Sequence, residues 1–452
     1  MRYVVVIDGE HYPPVVQSAL DELTARGHDI AGAVLAGGRE KLPKEGVGAF
    51  GEVAVRTGED PRRTLEAALV EWSPEAVLDL SDEPVLDYRR RHHLIGVALA
   101  HGVPYEGADF RFTPPPRPRI ATKPTLAIIG TGKRTGKTAV GGFTARTLTA
   151  AGHRPVIVSM GRGGPPEPEV MHGDDIELEP SDLLELADSG KHAASDYIED
   201  ALLGRVQTVG CRRCGGGLAG AVDFSNVPEG VRVANELEGD FMVLEGSGSA
   251  IPPVYADATA LVMPASIPAE YLSGYLGPFR LLLSDLVVVT MCEEPFGSPS
   301  QISEITLQVR KAFRGSQMSD EIRVIRTVFR PAPTRSIEGH TVFVATTAPK
   351  EASRSITEHL EREHGCKVAG MTHSLSDRSK LEEEIADVKK EADTLLCEIK
   401  AAGIDVATRS ALAAGMDVVY MDNVPVGIDG DDPAEAIAWA GDVARARFET
   451  DR

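Results

Sequence analysis

The run Leu126-Ala-Ile-Ile-Gly-Thr-Gly-Lys-Arg-Thr-Gly-Lys-Thr138 constrains this chain more than any other. Four apolar residues enter a loop that holds Gly130, Gly132 and Gly136, and the loop closes on Lys137 and Thr138 before a segment, Ala139 to Leu148, that reads as a helix. Strand, glycine-rich turn and helix in that order make a phosphate cradle. Backbone N–H groups and the helix N-terminus wrap an anion, glycine lets the backbone come close, Lys137 reaches the outer phosphates, and the Thr138 hydroxyl can hold Mg²⁺. The expected nucleotide cradle is therefore Gly130, Thr131, Gly132, Thr135, Gly136, Lys137 and Thr138. Lys133 and Arg134 fall on its rim, where either can meet charge developing on a γ-phosphate.

The 452 residues are enough for about three domains of ~150 residues, and 42% hydrophobic content supplies their cores. Lys plus Arg is 47 against 68 Asp plus Glu, a net charge of −21. That balance argues against nucleic acid or an anionic membrane as the general partner. Met1 to Asp8 is too short an apolar run for a signal peptide, and no run approaches the ~20 residues of a membrane helix, so a cytoplasmic protein is expected. Five cysteines at scattered spacing give no disulfide framework.

Before the phosphate loop, strand candidates at Tyr3–Ile7, Ile30–Leu35 and Ala76–Leu80 alternate with helical periodicity, which predicts an open parallel sheet. Ligands of such sheets sit at the carboxyl ends of strands, where Asp8-Gly-Glu-His11 and Ser81-Asp-Glu-Pro84 fall. Tyr88-Arg-Arg-Arg-His-His93 is the densest basic cluster of the chain; it reads as a solvated helix face or as an anion site using Arg89 with His93, or Arg90 alone. Thr113-Pro-Pro-Pro-Arg-Pro-Arg119 is a stiff linker and a domain boundary.

After the loop, Pro155–Ser159 is a second strand whose carboxyl end carries Met160-Gly-Arg-Gly-Gly-Pro165, with Arg162 placed to face phosphate. Two helices are expected at Ser181–Leu186 and Ala194–Leu202. Cys211-x-x-Cys214 invites a zinc reading, but no second pair stands at finger or ribbon spacing. A glycine-rich loop over Gly210–Gly220 that presents Arg212 and Arg213 to an anion is the better expectation, since such loops make natural lids. Phe241-Met-Val-Leu-Glu-Gly-Ser-Gly-Ser249 delivers Glu245 at a strand end, where its carboxylate can hold Mg²⁺ opposite Thr138. Leu261–Met263 and Asp285–Met291 continue the sheet. Arg323–Arg335 reads as a strand and a proline-marked boundary. Beyond it, Thr341–Thr347, Lys367–Met371, Ile404–Ala407 and Asp417–Met421 alternate with helical segments, the long polar stretch Leu381–Ala401 reading as one solvated helix; Thr372–Arg378 is a polar strand-end loop. The chain thus divides into three α/β units with parallel sheets, at 1–116, 120–330 and 336–452, the first a candidate substrate domain and the central one a phosphate-loop NTPase-like domain.

The loop spelling, with Thr131 where glycine is usual, resembles that of dethiobiotin synthetases and the wider class containing CTP synthases and MinD-type ATPases, as does the Glu245 segment. The whole chain resembles the cyclic 2,3-diphosphoglycerate synthetases. Asp-Gly-Glu-His-Tyr-Pro-Pro14, Tyr-Glu-Gly-Ala-Asp-Phe-Arg-Phe112, the phosphate loop, Met-Gly-Arg-Gly-Gly-Pro165, Cys-Arg-Arg-Cys-Gly-Gly-Gly217 and Leu-Glu-Gly-Ser-Gly248 carry that resemblance. It implies closure of 2,3-diphosphoglycerate into its cyclic diphosphate with ATP, Mg²⁺ and usually K⁺, giving ADP and phosphate. On this reading Lys137, Lys133, Arg134 and Arg162 are catalytic, Thr138 and Glu245 hold the metal, and His11, Arg89, Arg90, Arg212 and Arg213 bind substrate. A homodimer is an admissible assembly. A small-acid kinase, such as one acting on 2-phosphoglycerate, needs the same parts. A nucleotide-driven switch or metal-delivery NTPase would use Cys211 and Cys214 as its metal handle.

Overall fold

The computed structural model describes residues 1–38, 42, 46–188, 196–313, 322–375, 377–388, 390–399 and 403–450. The first sheet comprises β1 (Arg2–Ile7), β2 (Asp29–Leu35), β3 (Val55–Thr57), β4 (Ala76–Asp79), β5 (Tyr105–Glu106) and β6 (Arg111–Phe112), in the order β3-β2-β1-β4-β5-β6. Its pairs are parallel except the β5–β6 edge. Helices α1 (Pro13–Ala25), α2 (Pro61–Trp72) and α3 (Tyr88–Ala100) complete the unit. Asp60 and Asp87 cap the latter two by accepting from the N–H groups of Arg62 and Arg90.

The second sheet is built from β7 (Thr125–Gly130), β8 (Pro155–Gly161), β9 (Glu169–His172), β10 (Gln207–Cys214), β11 (Phe224–Ser225), β12 (Phe241–Glu245), β13 (Ala258–Pro264), β14 (Leu286–Thr290), β15 (Arg323–Pro333), β16 (Thr341–Ala345), β17 (Lys367–Thr372), β18 (Thr394–Glu398) and β19 (Asp417–Gly427). Its order is β11-β10-β8-β12-β7-β13-β14-β15-β19-β18-β16-β17, with β9 beside β10. The helices between them are α4 (Lys137–Ala150), α5 (Pro180–Asp188), α6 (Asp196–Gly204), α7 (Val227–Glu236), α8 (Glu270–Ser273), α9 (Gly277–Leu282), α10 (Pro299–Phe313), α11 (Ser353–His364), α12 (Arg378–Val388), α13 (Thr408–Ala413) and α14 (Pro433–Thr450). β7, β12 and β14 are buried along their whole length, which is why they read as unbroken apolar runs. No helix among the described residues is long and apolar enough to cross a membrane.

Ile404–Ala407, expected as a strand, is instead a wide helical turn, Gly403–Ala407, that leads into α13, and two further stretches depart from expectation. The segment Leu381–Ala401 is not one solvated helix: α12 ends at Val388 and Thr394-Leu-Leu-Cys-Glu398 is a fully buried strand between β16 and β19; residues 389 and 400–401 lie outside the description. Charges on both sides mask a short apolar run that only sheet pairing rewards. Likewise the proline-marked stretch after Arg326 continues as strand. β15 pairs parallel with β14 through Arg326 and antiparallel with β19 from Thr327 to Pro333, so one 11-residue strand carries the sheet across.

The first unit docks on the face of the large sheet opposite α4. Gly96 of α3 lies so close to α9 that a Cβ there would stand 3.0 Å from the Phe279 nitrogen. His93, one turn earlier, lines a crevice with Arg62, Ser273, Gln308 and Lys311. Burial, then the charge of Arg62, depresses its pKa from 6.5 to about 4, against Asp60. Folded protein thus refuses a proton that unfolded chain accepts below pH 6.5, so stability falls as pH falls towards 4. A His93→Asn variant is expected to lose less stability than wild type between pH 7 and pH 4.5, by at most about 3 kcal/mol, read from urea midpoints; parallel pH curves would refute this.

Candidate active site

The phosphate loop hangs between two strands. The Thr131 N–H donates to the Val262 carbonyl of β13 at 3.3 Å, and the Thr290 hydroxyl at the end of β14 donates to the Thr135 carbonyl at 2.9 Å. Gly136 caps α4 with φ +91°, and the Phe329 ring of β15 stands 2.3 Å from where its Cβ would be, so no other residue fits there. Lys137 folds back over the strand end: its Nζ donates to the Gly132 carbonyl at 2.8 Å, and a Cβ on Gly130 would meet its Cδ at 2.8 Å. Burial draws the ammonium pKa down to about 8, with Arg162 and Arg213 adding to the fall and Glu245 and Asp196 opposing it. Lys133 and Arg134 are exposed on the rim, Arg134 with φ +62°. Thr138 is half-buried in the first turn of α4.

Glu245 ends β12, flanked by Ile128 of β7 and Ser159 of β8, and is 3% exposed. Gly141 of α4 passes so near that a Cβ would lie 3.0 Å from Glu245 Oε1. Facing it is a residue the sequence reading missed, Asp200 of α6, which is fully buried. Among the described residues none of the four carboxylate oxygens has a partner in full hydrogen-bond geometry, although the Ser159 hydroxyl and the two facing carboxyls lie close enough to act on one another. A bond between two such carboxyls exists only when one carries a proton; with both ionised, a cation must take its place. Burial, reinforced by Asp196 and Glu199 and opposed first by the hydrogen bond of Asp200 and then by Lys137, pushes Glu245 up to about 7. Burial and the Glu245 charge push Asp200 well above the carboxylate range. These oxygens are hard donors that fit a divalent cation, and Thr138, the expected third ligand, lies in the first turn of α4, the helix that passes Glu245. The sequence signal for Asp200 was an acid inside the apolar run Ile198–Gly204, all of it buried except Glu199.

Arg162 follows β8 and Arg213 is the last residue but one of the neighbouring β10. Their guanidinium groups converge on Gly248: a Cβ there would stand 2.7 Å from Arg162 Nη2 and 3.3 Å from Arg213 Nη2. Arg213 donates to the carbonyls of Gly215 and Ser247 at 2.8 Å each, while its buried Nε has no acceptor. Burial, then the charge of Arg162, lowers its pKa. Arg212 points the other way, as strand neighbours must; it is exposed, with its backbone tied to Asn226. The expected Gly210–Gly220 loop is therefore strand as far as Cys214, and it brings one arginine of the two to the site. The same alternation separates the cysteines. Cys211 packs inward against Gly230, its thiol pushed up to about 12 by burial, while Cys214 is exposed, so the pair cannot clasp one metal ion.

The first-unit candidates lie apart from this group: among the described residues no hydrogen bond or ion pair joins them to it. His11 Nδ1 sits 2.9 Å from Asp8 Oδ1. Burial opposes ionisation of Asp8, but N–H donors from His11 and Asp82 hold it below the usual range. Arg89 is exposed and donates to the Tyr88 hydroxyl at 3.1 Å; Arg90 donates to the Val85 carbonyl at 3.0 Å. The inward arginine of that cluster is Arg91, paired with buried Asp79 at 2.8 Å, and its other inward member is His93. Near the loop's other flank, Arg330 grips Glu293 through two 2.7 Å bonds.

Three family models match this chain: the N-terminal domain of cyclic 2,3-diphosphoglycerate synthetase over residues 2–113, its P-loop domain over 125–328 and its C-terminal domain over 333–424. The chain is 48% identical to a cyclic 2,3-diphosphoglycerate synthetase of Rubrobacter xylanophilus over 436 residues, 95% of this chain and 96% of that one. It is 44% identical to that of Methanothermobacter thermautotrophicus, covering 94% and 92% respectively. With the enzyme of Methanothermus fervidus the identity is 43%, covering 95% and 94%.

A thiol reagent applied to the native protein is expected to label Cys214 alone, with the four buried cysteines reacting only after unfolding. Rapid labelling of Cys211, or zinc copurifying with the protein, would contradict the inward placement of that side chain.

Proposed function

Since the chain belongs to the cyclic 2,3-diphosphoglycerate synthetase family, we propose that the buried group around Lys137, Glu245, Asp200, Arg162 and Arg213 is where it performs that family's reaction. The protein is an ATP-dependent ligase that closes 2,3-diphosphoglycerate into its cyclic diphosphate, releasing ADP and phosphate. Two phosphates on adjacent carbons repel each other, so closure needs cations to hold both and ATP to turn an oxygen of one into a leaving group.

Backbone N–H groups of 131–138 and the Lys137 ammonium take the β- and γ-phosphates. Thr138, Glu245 and Asp200 hold Mg²⁺, which supplies charge neutralisation across the nucleotide phosphates when bound. An oxygen of one substrate phosphate attacks the γ-phosphorus and ADP departs. An oxygen of the second substrate phosphate then attacks the phosphorus of the first, and inorganic phosphate leaves with the bridging oxygen. Arg162 and Arg213 sit nearest this transfer, Lys133 and Arg134 guard the rim, and Lys137 stays charged because the incoming phosphates outweigh its desolvation. Arg212, Arg89, Arg90 and His11 become substrate ligands only if the first unit and the loop close on the site. K⁺ belongs to the family reading without a residue to hold it. The same reading makes the enzyme cytoplasmic, with a small polyanion as partner in place of nucleic acid or membrane, and a homodimer as its simplest assembly.

The observation that supports this most is the meeting of two under-compensated arginines with an ATP loop in a chain of net charge −21. Arg213→Met should raise the KM for 2,3-diphosphoglycerate about tenfold or more while the KM for ATP moves less than about threefold. Lys137→Ala should abolish turnover in a folded protein. Phosphorus NMR of the product separates a cyclic anhydride from the monoester a kinase would make, and a monoester would end the ligase reading.

A further inference from the structure

Arg280 of α9 is a buried guanidinium, 9% exposed, with no carboxylate in ion-pair range among the described residues. Burial alone lowers its pKa. All its bonds go to main-chain carbonyls: Nη2 donates to Ser249 at 2.9 Å, both terminal nitrogens reach Leu218 at 3.4 Å, Nη1 reaches Leu276 at 3.4 Å, and the buried Nε has no acceptor. A buried cation without a counter-ion is costly. The two outer carbonyls have something in common. Leu218 lies on the loop that leaves β10 after Cys214, one residue past Arg213, and Ser249 follows Gly248, the residue covered by Arg162 and Arg213. Those segments also bind each other, the Ile251 N–H donating to the Gly220 carbonyl at 2.8 Å. On its other side α9 carries the seat of the first unit, where Gly96 of α3 meets Pro278 and Phe279.

We propose that Arg280 is a positioning residue for the substrate half of the site: its planar fork fixes the Leu218 and Ser249 segments against each other, and so sets the spacing of Arg162 and Arg213 over Gly248. Its unneutralised charge adds to the field that draws a polyanion there. Because it is anchored in α9, the same fork couples the seating of the first unit to the arginine pocket. This rests on the reading of Arg213 as a ligand of the substrate.

Steady-state kinetics of the full-length protein with each substrate varied separately provide the test. Arg280→Met is expected to raise the KM for 2,3-diphosphoglycerate about tenfold or more while leaving that for ATP within about threefold, and Arg280→Lys, which keeps the charge without the fork, should recover part of the loss. Wild-type KM for 2,3-diphosphoglycerate in Arg280→Met, or equal losses for both substrates, overturns the proposal. If the methionine variant does not fold, hydrogen exchange of Arg280→Lys decides: amides of 215–223 should exchange faster than in wild type, and an unchanged pattern overturns it. Arg213→Met separates the two claims. An unchanged KM in that variant ends the substrate reading itself, whereas a raised KM there with none in Arg280→Met ends only the role of Arg280.

Discussion

Two buried carboxylates, Asp200 and Glu245, left among the described residues without a partner in full hydrogen-bond geometry, are the constraint around which the phosphate-loop region is arranged. Removing such groups from water is expensive unless a proton or cation accompanies them. Their neighbours are shaped by the need to bring them together. Gly141 lets α4 pass against Glu245, and Gly142 lets α6 press on α4, a Cβ there standing 3.1 Å from Leu203 Cβ. Arg146 then ties α4 to the Leu203 carbonyl of α6 and to Asp422 of β19. The loop, its helix and the acid-bearing helix thus form one unit.

The cations nearby are in the complementary condition. The charge of Arg162 lowers the proton affinity of both Lys137 and Arg213, and those two side chains lean on backbone carbonyls. An acidic protein that keeps positive groups this close together holds electrostatic work ready for an anionic ligand, and phosphate groups are the ligand a glycine loop selects. On the proposed reading the buried carboxylates serve the metal and the guanidinium groups the substrate.

The phosphate loop was legible because its chemistry dictates residue spacing along a single stretch. Glu245 was legible because an acid at the end of an apolar strand has few structural uses. Asp200 was not singled out: an acid inside an apolar helical run hints at burial, but the partner it faces, 45 residues away, is not written in the local pattern. Arg212 and Arg213 are equivalent on paper; a two-residue strand period sends one outward. The strand Thr394–Glu398 was hidden by the charges around it, and its state is decided by pairing with β16 and β19, which local pattern cannot reveal. Arg91, the inward member of its cluster, is selected by Asp79, which lies on a different element.

The most direct test of the account is the melting temperature of wild type and of an Asp200→Asn, Glu245→Gln double variant at pH 8 as Mg²⁺ is added without nucleotide. If the two buried carboxylates await a cation, Mg²⁺ should raise the melting temperature of the wild type, while the variant starts higher and does not respond. Equal responses in both proteins, or none in either, would contradict it.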